Sequence, residues 1–201
     1  MKRGTGRSDE GMNTSDYIRF DECQDVLSSL EQCAFSLAQV RQLSHAWKWV
    51  VISLHSALQG AMVCHLSGTA KTGALTKDSA KKRLEWSRSF KDKDPGVVTG
   101  ARELFNRVSD SSSRLEKTDG EEISVTDEHK KAFERLHNLR NEFSHFGTKL
   151  WSIEIAYIEE IIEPVLDILC LIAADDWSFR RMPEEGEEIR RAIEKVRSTV
   201  A

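Results

Sequence analysis

The residues of this chain best placed for chemistry lie in one short stretch, HNLRNEFSHFG, at positions 137–147. Arg140 and His145 form the pattern R-x4-H, and Asn141 follows the arginine directly. At about 100° per residue, His137, Asn141 and His145 are each four positions apart and share one face of a helix. Arg140 lies beside Asn141, so the pattern groups a permanent cation, an amide and a titratable imidazole.

This combination of side chains suits the cleavage of an RNA phosphodiester bond. A histidine acts as general acid or base near neutral pH. An arginine grips a phosphate through two parallel hydrogen bonds and stabilises charge on its equatorial oxygens. No metal ion is required if the 2′-hydroxyl of the RNA is the nucleophile. The structural alternative is an Arg and a His near a helix end that make only surface hydrogen bonds.

The composition indicates a helical protein around this motif. The 201 residues are 39% hydrophobic and 31% charged, with only three prolines and eleven glycines. These values indicate one compact domain and argue against an all-β or disordered chain. The net charge of −4 excludes the global cationic field that many nucleic-acid binders carry. Any RNA contact must therefore come from a local patch.

The cysteines and the N-terminal residues favour a cytoplasmic location. The cysteines show neither CxxC nor zinc-finger spacing, and their apolar neighbours predict buried free thiols in a reducing compartment; they are Cys23, Cys33, Cys64 and Cys170. The first residues, MKRGTGRSDEGMN, are basic, but no apolar segment follows them, so no secretory signal is visible.

One uncharged segment has the length of a membrane span. Positions 49–70 contain 22 residues without Asp, Glu, Lys or Arg, which is enough to cross a bilayer. The segment nevertheless holds several serines, a glutamine and two histidines, a heavy polar load for hydrocarbon. We therefore predict a buried helix at the centre of a bundle and no contact with a membrane.

Apolar periodicity predicts an all-α fold, a helical bundle of four to five main helices with an irregular insertion. We assign residues 17–180 to one helical domain, and residues 1–16 to a disordered N-terminal tail. Two long helical patterns open the domain, and the short link between them predicts an antiparallel hairpin. The insertion covers about residues 70–125, with short helices expected at 77–90 and 99–108 among polar turns.

The C-terminal helices have recognisable boundaries in the sequence. Thr126 is expected to cap a helix that continues through Phe143. A further helix is expected over residues 151–175, and Pro164 inside it should kink the helix or split it in two. Residues 181–201 are expected to form a charged C-terminal helix or tail with little to bury.

Two segments resemble the HEPN superfamily, whose all-α domains share the hallmark R-x4-6-H, often with a polar residue after the arginine. The segment LHNLRNEFSHFGTKLWSIE resembles the helix that carries this hallmark. The segment WKWVVISLHSALQGAMV resembles the second helix of a HEPN-like branch found on bacterial plasmids and chromosomes. The resemblance covers about residues 20–175 and is loose between residues 70 and 125.

The resemblance implies a metal-independent ribonuclease without a cofactor, which uses 2′-hydroxyl attack and leaves a 2′,3′-cyclic phosphate. By this resemblance Arg140 and His145 would be the catalytic pair and Asn141 a supporting polar residue. HEPN domains usually form homodimers, and many belong to toxin–antitoxin or defence systems. This implies an antitoxin or a neighbouring defence protein as a possible partner besides RNA. Many HEPN domains are catalytically silent, so a helical scaffold that binds a protein or nucleotide partner is the alternative.

Several other polar residues are candidates for supporting roles. His137 lies three positions before Arg140 on the predicted helix, and Ser144 lies directly before His145. His55 and Gln59 lie one turn apart on the uncharged helix and would support the cleft if that helix packs against the motif. The simpler role for His55 is a hydrogen-bonded core histidine. His65, near the end of the same helix, is expected to be a surface group.

One basic cluster is the candidate for contact with the RNA backbone. A solvated helix face is the ordinary role of such a run of charges, and contact with phosphates is the functional one. The residues of the cluster are Lys81, Lys82, Arg83 and Arg88.

A metal-binding oxidoreductase bundle is a third hypothesis. The pattern E-x-x-H occurs twice, at Glu134/His137 and at Glu142/His145. In di-iron bundles such pairs come from two different helices and are joined by further glutamates. Here both pairs fall on one predicted helix without evident carboxylate partners opposite, so we predict no metal site.

Overall fold

A computed structural model describes residues 20–68, 70–89, 96–115, 120–145, 150–180 and 183–200. Within them the chain forms α-helices and no strand, which confirms the all-α fold class. The predicted N-terminal tail, residues 1–16, lies outside the described residues. The helices in chain order are α1 (Glu22–Leu37), α2 (Ala46–Leu66), α3 (Lys77–Ser89), α4 (Ala101–Ser109), α5 (Asp127–Ser144), α6 (Ile155–Ala174) and α7 (Pro183–Val200).

Helices α1 and α2 form the predicted antiparallel hairpin. Cys23 in the first turn of α1 lies beside Cys64 in the last turn of α2, with 3.7 Å between the two sulfur atoms. Further along, Gly60 lets the helices approach closely, because a Cβ atom there would lie 2.8 Å from Val26 Cγ2. None of the chain's four cysteines forms a disulfide, which confirms the predicted free thiols. Cys33 and Cys64 are buried as predicted, whereas Cys23 and Cys170 are only partly buried, because they lie towards the edge of the helix packing.

Helix α2 is the central helix of the bundle and packs against α1, α4, α5 and α6. By length and composition α2 could cross a membrane, but 72% of its most apolar window is buried inside the molecule. That burial is typical of the core helix of a soluble protein and confirms the predicted buried helix. Its fully buried side chains include Val50, Val51, Leu54, Leu58, Ala61, Met62 and Leu66.

The predicted insertion holds the two short helices α3 and α4 and is anchored by a buried arginine. Arg107 on α4 is only 1% exposed. Its guanidinium donates to the carbonyl oxygens of Gly73 at 2.9 Å and Leu75 at 2.8 Å, and to the carboxylate of Glu103 at 3.0 Å. Leu75 also forms an isolated antiparallel bridge with Val98. The loop before α3 is therefore fixed to α4 by a satisfied buried cation.

His65 is buried, so the prediction of a surface group is wrong. Its side chain is 0% exposed and has a hydrogen-bond partner for each ring nitrogen. Nε2 lies 2.8 Å from the carbonyl oxygen of Glu121, which only accepts, so Nε2 donates and Nδ1 accepts from the Ser178 hydroxyl at 2.8 Å. His65 thus joins α2 to two loops that lie far away in the sequence.

Helices α5 and α6 follow the predicted pattern with two differences. Thr126 caps α5 as expected, since its hydroxyl accepts from the His129 N–H at 3.2 Å. Helix α6 begins at Ile155, four residues later than predicted, and it continues through Pro164 without being split. Buried neighbours such as Ile161 and Val165 hold the helix on both sides of the proline. Tertiary packing therefore outweighs the local cost of the missing N–H group.

Helix α7 belongs to the core, so the expectation that it has little to bury is wrong. Ile189, Ile193 and Val196 lie at helical spacing and are at most 1% exposed. They pack against α1 and α6. Most charged residues of α7 are exposed, and Arg197, at the edge of the core face, bonds the carboxylate of Asp167 on α6 at 2.9 Å.

Candidate functional site

Helix α5 presents most of the R-x4-H motif along its last two turns. His137, Arg140 and Asn141 lie within the helix, whereas His145 is the residue that ends it, with φ −107° and ψ 104°. The backbone N–H of His145 donates to the carbonyl oxygen of Asn141 at 2.9 Å. The imidazole of His145 is exposed and has no hydrogen-bond partner within the described part of the chain.

Four polar side chains form a closed ring between α2 and α5, which we name the polar ring: His55, His137, Arg140 and Asn141. Arg140 Nε lies 3.4 Å from His55 Nδ1, and His55 Nε2 lies 3.1 Å from His137 Nδ1. His137 Nε2 lies 3.2 Å from Asn141 Nδ2, and Asn141 Oδ1 accepts from Arg140 at 2.9 Å. Helix α2 packs against α5, and this brings His55 to the motif.

Burial keeps both imidazoles of the polar ring neutral. His55 is 2% exposed, and its burial lowers its pKa to about 3, with smaller contributions from the charges of Arg140 and His137. The pKa of His137 is also lowered, first by partial burial and then by the charges of Arg102 and Arg140. Both histidines therefore act near neutral pH as uncharged groups with one donor and one acceptor each.

Arg140 is a partly buried cation without a carboxylate partner among the described residues. Its hydrogen bonds reach only neutral groups, and its second terminal nitrogen makes none with the described residues. Arg102, by contrast, pairs with Glu134 at 2.8 Å. A guanidinium held in place without charge compensation retains its attraction for an anion.

Aromatic stacking supports the polar ring from the side of α4. The His137 ring lies 6.0 Å from the Phe133 ring, and Phe133 stacks on Phe105 at 4.2 Å with only 5° between the planes. Arg102 on α4 extends this contact by donating to Glu134 and to Asn138 at 2.9 Å. Sequence reasoning missed Phe105 and Arg102, because nothing in their spacing connects the insertion with the motif.

The structure brings together some of the predicted site residues and leaves others apart. His55 does pack against Arg140, as the supporting role required, and it is also a hydrogen-bonded core histidine. Gln59 on α2 and Ser144 at the end of α5 make no hydrogen bond to the polar ring. His145 lies one turn after Asn141 at the end of α5, and among the described residues its imidazole makes no hydrogen bond to Arg140 or to the other members of the polar ring.

The predicted basic cluster lies on α3. Lys81 and Lys82 are exposed, and Arg83 is partly exposed. Arg88 belongs to the same helix, but its side chain lies outside the described residues. Exposed cations on one helix are compatible with both roles, a solvated surface and a surface that contacts phosphates.

The two E-x-x-H pairs are not joined into a metal-binding cluster. Within the described residues no group of three or more His, Cys, Asp or Glu side chains is placed to hold a metal ion. Glu134 instead gives its carboxylate to Arg102, which lowers the pKa of that carboxyl group. His137 gives both ring nitrogens to the polar ring.

No protein family model, curated protein or solved structure matches this chain. No relative therefore assigns a function to it. The resemblance to the HEPN superfamily stays a prediction based on the residues quoted above.

Proposed function

We propose that the protein is a metal-independent RNA endonuclease of the HEPN type. One observation carries the proposal: Arg140 is fixed by neutral partners, and no carboxylate compensates its charge among the described residues. A scissile phosphate would provide the anion that this guanidinium lacks. Asn141, bonded to the same guanidinium at 2.9 Å, orients it.

The proposed reaction is an internal transesterification. The 2′-hydroxyl oxygen attacks phosphorus, the bond from phosphorus to the 5′ oxygen breaks, and a 2′,3′-cyclic phosphate and a 5′-hydroxyl result. One histidine accepts the proton of the 2′-hydroxyl, and a second donates a proton to the leaving oxygen. Arg140 stabilises the charge on the equatorial oxygens.

A homodimer would provide the two histidines. His145 is exposed at the end of α5 and makes no hydrogen bond to its own chain's polar ring among the described residues, so it is accessible to a second copy. Two copies that face each other through this end of α5 would combine Arg140 of one chain with His145 of the other. Lys81 and Lys82 on α3 are the exposed cations that we assign to the RNA backbone.

We place this activity in the bacterial cytoplasm, in a toxin or defence system. The partner would be an antitoxin or a neighbouring defence protein that restrains the nuclease. The burial of α2 inside the bundle is consistent with that location.

A catalytically silent scaffold is the second candidate function, and one observation favours it. The imidazole of His145 has no hydrogen bond that would fix its orientation within the described residues. A general acid or base needs a partner that orients it. In a scaffold the polar ring would bind an anionic group of a protein or nucleotide without cleaving it.

The test is cleavage of a mixed RNA substrate in EDTA by the wild type, Arg140→Ala and His145→Ala. We expect each substitution to lower the rate by at least about 100-fold, because each removes a group that acts on the transition state. Arg135→Ala on the same helix and His45→Ala at an exposed position are the matched controls and should retain activity. Products should carry cyclic phosphate ends.

Two outcomes would contradict the nuclease. Cleavage that Arg140→Ala and His145→Ala leave intact would show a contaminating activity or another site. Absence of cleavage by folded, dimeric wild type across total RNA from a bacterial host would favour the scaffold.

A further inference from the structure

The polar ring contains one hydrogen-bond donor too many. A guanidinium has only donors, so both of its contacts, with His55 Nδ1 and with Asn141 Oδ1, require an acceptor on the other side. Reversing the Asn141 amide would only turn its NH2 group towards the guanidinium, so Oδ1 has to face Arg140. The remaining contacts, from His55 to His137 and from His137 to Asn141, must fit between these two fixed ends.

If the assignment begins at Asn141, every donor and acceptor in the polar ring is determined by the contact before it. Its Oδ1 is occupied by Arg140, so Nδ2 donates to His137 Nε2. Neutral His137 then carries its proton on Nδ1 and donates to His55 Nε2. Neutral His55 in turn carries its proton on Nδ1, where it faces the Nε–H of Arg140. Two donors oppose each other at that contact.

If the protons are assigned from Arg140 instead, two donors oppose each other at a different contact. If His55 Nδ1 accepts, both imidazoles carry their protons on Nε2, and His137 Nε2–H then faces the NH2 group of Asn141 at 3.2 Å. Protonating either histidine adds a further donor. The longest contact is the 3.4 Å between Arg140 and His55, so this is the contact that gives way.

We propose that an anionic phosphoryl oxygen bound by Arg140 supplies the missing acceptor, and that His55 and His137 are positioning residues that share one tautomer. Once Arg140 Nε donates to that oxygen, both imidazoles keep their protons on Nδ1 and the other three contacts are satisfied. No proton is gained or lost by the ring. This inference rests on the proposed function, because it takes a phosphoryl group as the anion.

A single substitution separates this proposal from a purely structural ring. Asn141→Asp replaces the NH2 group by a second acceptor of nearly the same shape. Arg140 then bonds His55 and the new carboxylate, and His137 donates to that carboxylate from Nε2. Both histidines are expected to change to the Nε2–H tautomer. The carboxylate would also compensate the charge of Arg140 and weaken anion binding.

The experiment is nitrogen-15 NMR of the full chain, which distinguishes the tautomers by the ring-nitrogen shifts. We expect Nδ1–H on His55 and His137 in the wild type and Nε2–H on both in Asn141→Asp. Asn138→Asp is the control, because it adds the same charge on the same helix but contacts Arg102 instead of the ring.

Inorganic phosphate is the probe for the anion. It should shift the Nε signal of Arg140 in the wild type, and Asn141→Asp should bind it at least about tenfold more weakly. The affinity of Asn138→Asp for phosphate should stay within about threefold of that of the wild type, because this substitution adds a charge outside the polar ring.

Three results would overturn the inference: Nε2–H tautomers in the wild type, tautomers unchanged by Asn141→Asp, or no phosphate-dependent shift at Arg140. These measurements use no RNA, so they fail independently of the nuclease. Tautomers as expected without RNA cleavage would refute the nuclease alone. RNA cleavage with unchanged tautomers in Asn141→Asp would refute the inference alone.

Discussion

Burial and a neighbouring cation both lower the pKa of His55. The side chain is 2% exposed and contacts the guanidinium of Arg140, and both effects disfavour its charged form. An imidazole in this position cannot serve as the proton-transferring histidine near neutral pH. In the proposed nuclease, proton transfer would therefore fall to His145, which is exposed.

The lowered pKa of His55 makes the stability of the protein depend on pH. In the folded state the pKa is about 3, whereas an unfolded histidine has a pKa of about 6.5. Below pH 6.5 the unfolded chain binds a proton that the folded chain does not, so the stabilisation present above pH 6.5 is lost as the pH falls towards 3. We expect His55 alone to lower the free energy of unfolding by about 2 kcal/mol between pH 7.5 and pH 5.

Urea unfolding at the two pH values measures this effect. The pKa values of His65 and His137 are lowered as well, so the wild type should lose more than the share of His55. His55→Gln keeps an amide in place but does not titrate, and its pH dependence should be smaller. His45→Gln, at an exposed position, should behave like the wild type. If the stability of His55→Gln and that of the wild type depended equally on pH, the lowered pKa of His55 would be contradicted.

For individual residues, the sequence identified the polar side chains of the site but not the contacts that they make. The spacing of His137, Arg140 and Asn141 on one helix was sufficient to place them together. His55 was predicted as a supporting residue only on the condition that α2 packs against α5, which is a property of the fold. The mismatch of donors in the polar ring depends on which atoms face each other, and no sequence pattern contains that information.

Among the elements, the insertion between α2 and α5 owes its order to α4. Arg107 carries its charge into the interior and bonds two backbone carbonyls, those of Gly73 and Leu75. The helices α3 and α4 were predicted from the sequence close to their observed bounds. The role of Arg107 was not, because an arginine in a short amphipathic helix is ordinarily exposed.

Arg107→Met should destabilise the protein strongly. The substitution keeps much of the side-chain volume but leaves the buried carbonyl oxygens of Gly73 and Leu75 without their donor. We expect a loss of about 2–4 kcal/mol in the free energy of unfolding, measured by urea denaturation.

Arg102→Met is the matched control on the same helix. Its guanidinium is half exposed and pairs with Glu134, so its replacement should cost less than about 1 kcal/mol. Equal losses for the two variants would show that Arg107 does not anchor the insertion.

Across the whole molecule, the first and last described helices meet. Helix α7 packs against α1 and α6, and His65 joins α2 to Glu121 and to Ser178. These contacts connect residues 56 and 113 positions apart in the sequence. Local patterns do not contain such separations, which is why a surface position was wrongly predicted for His65. The apolar residues of α7 have helical spacing in the sequence, but the many charged residues between them obscured this pattern.

Ile193→Ala tests whether α7 is part of the cooperative core. Ile193 is 1% exposed, and removing its side-chain atoms should cost about 2–4 kcal/mol in the free energy of unfolding. Lys195→Ala, two residues along on the exposed face, should change stability by less than about 0.5 kcal/mol. If α7 were a loosely attached tail, urea denaturation would give the same midpoint for both variants.

Helix α2 carries the centre of the core and one member of the polar ring on the same turns. Leu54 and Leu58, on either side of His55, are each 1% exposed, so a change at position 55 must be accommodated by tightly packed neighbours. Gln59 is only partly buried, and Ser144 is exposed. In descendants of this chain, substitutions should therefore appear at Gln59 and Ser144 before they appear at His55, and the buried residues of α2 should be inherited nearly unaltered.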